Sequence, residues 1–177
     1  LAYRKPLPAD DWIALFWVVN LFVGVQAVSK SFLGMTEGQQ LYWYQLADGG
    51  RIILAKLTYH AGLMIGFILV LGLIFASLLG FPFEQVWPAI GVAAAGGVGL
   101  AASLTLVSAL AAAARQRTTL MAVLSFPLLF PMLLGLIRLS QKVAEDLSTG
   151  PDWRFVLGLT GLQLGLSWVL FPYLWRE

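Results

Sequence analysis

Long apolar runs separated by short polar breaks dominate the pattern of hydrophobic and polar positions along the chain. Five such runs cover residues 12–28, 52–79, 86–114, 120–139 and 155–174. A helix of about 20 apolar residues crosses a hydrocarbon core about 30 Å thick. Lipid offers no partner to backbone polar groups, and the runs lack the alternation of a membrane β-strand. Each run is therefore predicted to be a transmembrane helix.

Prolines and glycines mark particular features of these helices. Pro8, followed by the acidic pair Asp10 and Asp11, is typical of a helix N-terminus and predicts where the first span begins. Pro127 and Pro131 lie inside the fourth span, where each removes a backbone donor and imposes a kink. One interpretation is functional: the kinked segment is a hinge or lines a translocation path. The other is structural: the kink only shapes the helix for packing against its neighbours. The density of small residues between Gly91 and Ala114 favours a buried central helix. Small residues four positions apart favour close helix contact, although Gly and Ala are also simply common in membrane helices. Such spacing occurs at three sets: Gly91, Ala95 and Gly99; Gly62 and Gly66; Gly161 and Gly165.

Residues 31–51 form the one long polar segment between apolar runs whose pattern predicts an ordered element. The segment mixes large apolar or aromatic side chains with polar ones: Leu41, Tyr42, Trp43, Tyr44 and Leu46 beside Glu37, Gln39, Gln40 and Gln45. One interpretation is an amphipathic helix in the headgroup layer. The other is a coupling helix that docks into a soluble partner. The few basic residues weigh against a pure lipid-surface helix, and the pattern alone leaves both interpretations open.

Composition agrees with a membrane protein. Apolar residues make up 59% of the 177 residues, charged residues only 11%, and the mean hydropathy is +0.82. Soluble domains carry about 25% charged residues. The chain is thus predicted to be a single all-α integral membrane domain over residues 1–177. Its net charge of +2 is too small to imply nucleic-acid binding, and the absence of cysteine excludes disulfides and thiolate metal sites.

The distribution of basic residues predicts the orientation. The break at residues 80–85 has no Lys or Arg, whereas the breaks around residues 31–51 and 115–117 carry several, so these two are assigned to the cytoplasmic side. This assignment places six basic residues on the cytoplasmic side of the membrane and five on the outer side. Five spans place the N-terminus outside, which is awkward without a signal peptide. An additional upstream span would remove the difficulty, so six spans are expected in the intact protein.

No catalytic constellation is visible in the sequence. His60 is the single histidine, no carboxylate lies within a span, and no phosphate-binding glycine loop is present. No catalytic residue and no metal site are therefore expected. Lys56 and His60 share one helix face at membrane depth, where ionisable residues are functional candidates. Lys56 is near enough to the interface to snorkel. His60 is interpreted as a haem ligand or substrate contact, or more commonly as a neutral packing residue.

Two motifs resemble a known family, the haem exporter protein B (CcmB), the permease of the cytochrome c maturation ABC transporter. The family has a Phe, then Glu-Gly, a Leu- or Tyr-rich helix and an Ile-Leu-x-Lys start to the next span. The second motif is similar to the family's Pro-x-x-x-Pro with a nearby Gly. The aromatic-rich version resembles Bacteroidetes members, and the family's first span is absent here. These features fall on the following residues: Phe32, Glu37, Gly38, Leu41, Tyr42, Tyr44, Ile53, Leu54 and Lys56, then Pro127, Pro131 and Gly135.

The resemblance implies an ABC-2-type permease without an ATPase of its own, in the bacterial cytoplasmic (inner) membrane. Its implied partners are the ATPase subunit CcmA, a haem-handling membrane subunit similar to CcmC, and a haem chaperone. ATP would act through the partner, and haem would be a substrate rather than a bound cofactor. Lys56, His60, Pro127 and Pro131 are candidates for a path or hinge. The implied ATPase-coupling contact comprises Glu37, Gly38, Gln39, Leu41, Tyr42, Tyr44 and Leu46.

Two other functions remain open from the residues. A non-transport membrane scaffold or assembly subunit fits the lack of charge within the spans. An intramembrane enzyme fits least well, because the spans lack carboxylates and a second histidine.

Overall fold

A computed structural model of the chain describes residues 7–33, 49–112 and 117–174. All the secondary structure in this part is helical, so the predicted all-α fold class is confirmed. Most of the polar segment at residues 31–51 lies outside the described residues. The helices are α1 (Ala9–Leu33), α2 (Gly49–Leu79), α3 (Val86–Ala112), α4 (Arg117–Ala144) and α5 (Gly150–Leu174).

The helix ends follow local signals in the sequence. The backbone N–H of Trp12 donates to the carbonyl of Pro8 at 3.0 Å, so α1 begins at Ala9, within the start signal of Pro8, Asp10 and Asp11 and three residues before the predicted span. Asp10 and Asp11 lie in its first turn, where carboxylates complement the helix dipole. The helix α2 ends before Gly80, which has φ of 87° and donates to Ala76 at 3.1 Å. Glycine adopts this left-handed conformation without steric cost, and the chain turns there into residues 80–85.

A tight turn also ends α4. The N–H of Leu147 donates to the carbonyl of Lys142 at 2.8 Å, and the N–H of Asp146 donates to Val143 at 3.4 Å. Asp146 has φ of 54°. This pair of bonds around a left-handed residue is a Schellman motif, which satisfies carbonyls at the helix end. It directs the chain back into α5, which is therefore antiparallel to α4.

Among the described residues, four of the helices contain segments long and apolar enough to cross a membrane. A fifth such segment is not found in α5 of the described chain. Each helix includes most of one apolar run, and α1, α2, α4 and α5 begin before their runs. The molecule is a multi-pass membrane protein. The four segments are Ala9–Ala27, Ile53–Leu79, Val86–Ser108 and Ser125–Ala144.

The helix α3 lies at the centre of the bundle and contacts all four other helices. Of its apolar segment 67% is buried, against 11% of the segment in α2. Glycines permit this packing: a Cβ at Gly96 would overlap the ring of Trp17, and one at Gly97 would lie 2.9 Å from Ile65 Cγ1. The small residues of α3 therefore let α1 and α2 approach its backbone closely. The prediction of a buried central helix is confirmed.

Only one of the three predicted small-residue faces meets another helix of the described chain. Gly91 faces Trp153, with a Cβ position 3.6 Å from its Cη2, and Gly99 faces Met132 and Thr160. No described atom outside the helix backbone itself lies within 4 Å of a Cβ position at the other two faces. Spacing alone therefore did not predict contact at those faces, which comprise Gly62, Gly66, Gly161 and Gly165.

Candidate functional site

The predicted coupling contact lies outside the described residues, at Glu37, Gly38, Gln39, Leu41, Tyr42, Tyr44 and Leu46. What the structure describes are the two helices that this segment joins. The helix α1 ends at Leu33 and α2 begins at Gly49. Lys56 and His60 follow in the first three turns of α2. At 1.5 Å per residue, His60 lies about 17 Å along the helix from Gly49.

His60 connects α2 to the central helix. Its side chain is 1% exposed, and its Nδ1 lies 2.8 Å from the hydroxyl of Thr105, which is also buried. The ring of Tyr59 is 5.6 Å from the His60 ring. Lys56 is half-buried one turn earlier on α2. The structure thus places His60 where it joins α2 to α3. No group of three or more His, Asp or Glu side chains that could hold a metal ion is found in the described chain.

Further buried hydroxyl groups of α3 extend this polar contact. Ser103 Oγ lies 2.7 Å from the Oε1 of Gln163 on α5, and both residues are fully buried. Gln163 also donates from Nε2 to the carbonyl of Leu128 on α4, at 3.4 Å. Buried polar side chains in a membrane bundle are stabilised by such bonds between helices. Ser103 and Thr105 therefore tie the central helix to α5 and α2.

The two prolines lie within one continuous helix, α4. Pro127 is exposed and Pro131 is half-buried. Phe126 and Phe130 stack beside them at 5.2 Å on the exposed side. The carbonyl that accepts from Gln163 belongs to Leu128, between the prolines. The structure consequently puts α5 against the proline segment of α4. Lys56 and His60 lie on a different helix, α2. The central helix α3 contacts both α2 and α4.

A second polar region lies at the opposite end of α1, and the sequence did not identify it as a site. We call it the Asp10 end; it comprises residues 8–11, 80–85 and 138–152. Gln141 donates to Asp10 at 2.9 Å, and Gln85 donates to Asp146 at 3.3 Å. These contacts place the start of α1, the 80–85 turn and the end of α4 on the same side of the bundle.

One ion pair reinforces the Asp10 end, between Lys142 Nζ and Asp152 Oδ2 at 2.6 Å. The sequence showed balanced charges after α4 but could not show which of them pair, because the turn decides their approach. A further buried bond joins α1 to α4: Trp17 Nε1 donates to Ser140 Oγ at 2.7 Å. Trp17 lies inside the first predicted span and Ser140 directly follows the fourth, and no pattern in the sequence indicated that these two residues pair.

These features define a class: a multi-pass helical membrane protein whose central helix is cross-linked by buried polar side chains. The sequence profile of the CcmB protein family matches residues 12–172, and the chain belongs to that family. It is therefore a permease-type membrane component of the cytochrome c maturation ABC system that exports haem. No curated protein and no solved structure matches the chain.

Proposed function

We propose that this chain is the permease subunit that couples ATP hydrolysis by a separate ATPase subunit to haem export, or to release of a haem-loaded chaperone. The family match carries the proposal, because it covers both the bundle and the 31–51 segment. The ATPase would be CcmA-like, and a CcmC-like subunit and a haem chaperone would act with it. The location would be the bacterial cytoplasmic (inner) membrane, with α5 as a fifth span.

In this proposal residues 31–51 are the docking site for the ATPase. A push on the segment would act on α1 and α2, the two helices that it joins. Motion of α2 would reach the centre of the bundle through His60 and Thr105, whose side chains lie 2.8 Å apart. Ser103 and Gln163 would pass the displacement on to α5. Hydrogen bonds of this kind suit mechanical coupling, since each joins two otherwise apolar helix surfaces.

Docking is tested by replacing residues 37–46 with a Gly-Ser linker of equal length. We expect the ATPase subunit to stop co-purifying while the chain still accumulates in the membrane. Glu37→Ala and Tyr42→Ala should weaken the association, whereas Gln40→Ala, a control within the same segment, should not. Intact association of the linker variant would show that the ATPase docks elsewhere.

The path through the bundle is tested with two threonines. Thr105→Val removes the partner of His60, whereas Thr58→Val is a control because that exposed hydroxyl bonds its own helix at Leu54, at 2.9 Å. We expect Thr105→Val and His60→Ala to lower the yield of haem-loaded cytochrome c without releasing the ATPase. If His60 itself carried out chemistry, the yield of haem-loaded cytochrome c would be retained in Thr105→Val and lost in His60→Ala.

The alternative of a non-transport scaffold has its own test. An ATPase subunit that binds but does not hydrolyse ATP should abolish cytochrome c maturation if the chain is a coupled permease. Full maturation with that subunit would favour the scaffold.

A further inference from the structure

A polar pocket of about 310 Å³ lies at the Asp10 end of the bundle. It is bounded by the first turn of α1, the last two turns of α4 and the turn that follows. The Gln141–Asp10 bond holds the two helices together across it. Its lining residues are Asp10, Arg138, Gln141, Lys142, Glu145 and Leu147.

The charges of the pocket are only partly compensated. Lys142 is paired with Asp152 outside the pocket. The side chains of Arg138 and Glu145 have no ion pair or hydrogen bond within the described chain. They are seven residues apart, Arg138 in the last turns of α4 and Glu145 in the turn directly after it, about 10 Å further along the helix axis. The pocket therefore presents a cation at one position and a carboxylate two turns further on, with the Asp10 carboxylate beside them.

The depth of Arg138 favours a lipid as the occupant. It lies inside the apolar segment Ser125–Ala144, about 9 Å below its end. An arginine at that depth extends towards the headgroup layer, where lipid phosphates are the available anions. Leu147 and Phe155 follow Arg138 in the chain, and both have exposed side chains. These side chains offer apolar contact to the acyl chains of a bound lipid. A small polar solute would not require these apolar surfaces.

We propose that this pocket binds the headgroup of a phospholipid that carries both a phosphate and a primary ammonium, as phosphatidylethanolamine does. The phosphate would be held by Arg138, and the ammonium would donate to Glu145 and Asp10. A lipid with only negative charge would leave the carboxylates of Asp10 and Glu145 without an ammonium partner. A quaternary ammonium has no N–H to donate, so phosphatidylcholine would lose those bonds.

The test measures lipid retention on the purified full-length chain by native mass spectrometry, after reconstitution in nanodiscs of defined composition. We expect phosphatidylethanolamine to be retained, and phosphatidylcholine and phosphatidylglycerol to be lost. Arg138→Gln and Glu145→Gln should each weaken retention about tenfold, as expected for loss of one charge-assisted hydrogen bond. Both positions are exposed, so the variants should fold. Arg154→Gln and Glu84→Gln are controls, because each removes the same exposed charge outside the pocket.

Other results would overturn the proposal. Equal retention of phosphatidylglycerol would show a simple anion site at Arg138. Displacement of the lipid by soluble phosphoethanolamine at comparable concentration would show a site for a free solute. Unchanged retention in both Arg138→Gln and Glu145→Gln would place any bound lipid elsewhere on the molecule.

Discussion

At the scale of single residues, buried polar atoms of this bundle differ in whether they join two helices or bond only within one. Ser140 accepts from Trp17 of α1 and itself donates to Leu136 of its own helix, at 2.7 Å. Within the described chain Ser167 bonds only inside α5, to the carbonyl of Gln163 at 2.8 Å. Both serines are 1% exposed. The difference between them therefore isolates the contribution of a bond across the helix interface.

Ser140→Ala should destabilise the protein by about 1–2 kcal/mol, because it leaves the buried Trp17 N–H without its acceptor. Ser167→Ala should change stability by only a few tenths, since no group on another helix loses a partner. Thermal unfolding in one detergent compares the two variants. Equal midpoints would show that the Trp17–Ser140 bond contributes nothing measurable.

Gly96 and Gly161 provide a second pair at this scale. A Cβ at Gly96 would overlap the rigid, buried ring of Trp17. At Gly161 no atom of the described chain outside the helix's own backbone lies within 4 Å of the same position. Gly96→Ala should therefore cost about 1–3 kcal/mol through overpacking. Gly161→Ala should be neutral or slightly stabilising, because alanine has the higher helix propensity. A stable Gly96→Ala variant would mean that α1 can shift away from α3 at little cost.

At the scale of elements, α4 combines features that do not usually occur together in one helix. It is continuous from Arg117 to Ala144 although Pro127 and Pro131 each remove a backbone donor. The amide of Gln163 reaches the carbonyl of Leu128 in this same stretch. The prolines leave the carbonyls at positions 123 and 127 without their helix donor, because each carbonyl accepts from the residue four positions later. The Leu128 carbonyl follows directly, so Gln163 joins α5 to the proline segment without replacing a donor that the prolines remove.

Replacing both prolines with alanine should straighten α4 and lower activity if the segment works as a hinge. The chain has no cysteine, so Thr118→Cys and Ser148→Cys allow spin labels at the two ends of the helix alone. For a kink of about 20° we expect the distance between the labels to increase by about 1 Å, and by more for a sharper kink. Unchanged distance and unchanged cytochrome c maturation would rule out the hinge.

At the scale of the whole molecule, hydrogen bonds define which segments share a side of the membrane. Gln141 with Asp10, and Gln85 with Asp146, gather three segments at the Asp10 end. The basic-residue count assigns that end to the outside, but by a margin of a single residue. The structure supports the grouping of these segments, and the side on which they lie stays a prediction from charge.

Cysteine labelling tests this orientation in intact cells. Gln85→Cys and Ser148→Cys should both react with a membrane-impermeant maleimide, and Thr118→Cys at the other end of α4 should react only after permeabilisation. The cysteine-free parent chain is the control. The reverse pattern would invert the orientation, and a split between residues 85 and 148 would contradict the grouping seen in the structure.

Much of the architecture follows from local sequence. Apolar runs of membrane length predicted the all-α fold, Pro8 with Asp10 and Asp11 predicted the start of α1, and the density of small residues predicted a central α3. The family also followed from motifs that are short and contiguous. These properties depend on neighbouring residues and on the surrounding lipid, so they can be inferred before any tertiary contact is known.

Only the tertiary structure decided which side chains meet. The glycine spacing fitted three faces equally well, yet the ring of Trp17 is packed against Gly96 while Gly62 and Gly161 face no other helix of the described chain. His60 could have been a ligand or a packing residue from its sequence position, and its contact with Thr105 was decided by the rotation of α2 against α3. A pattern along one helix determines which face is apolar or small. The partner of that face depends on the packing of all the helices together.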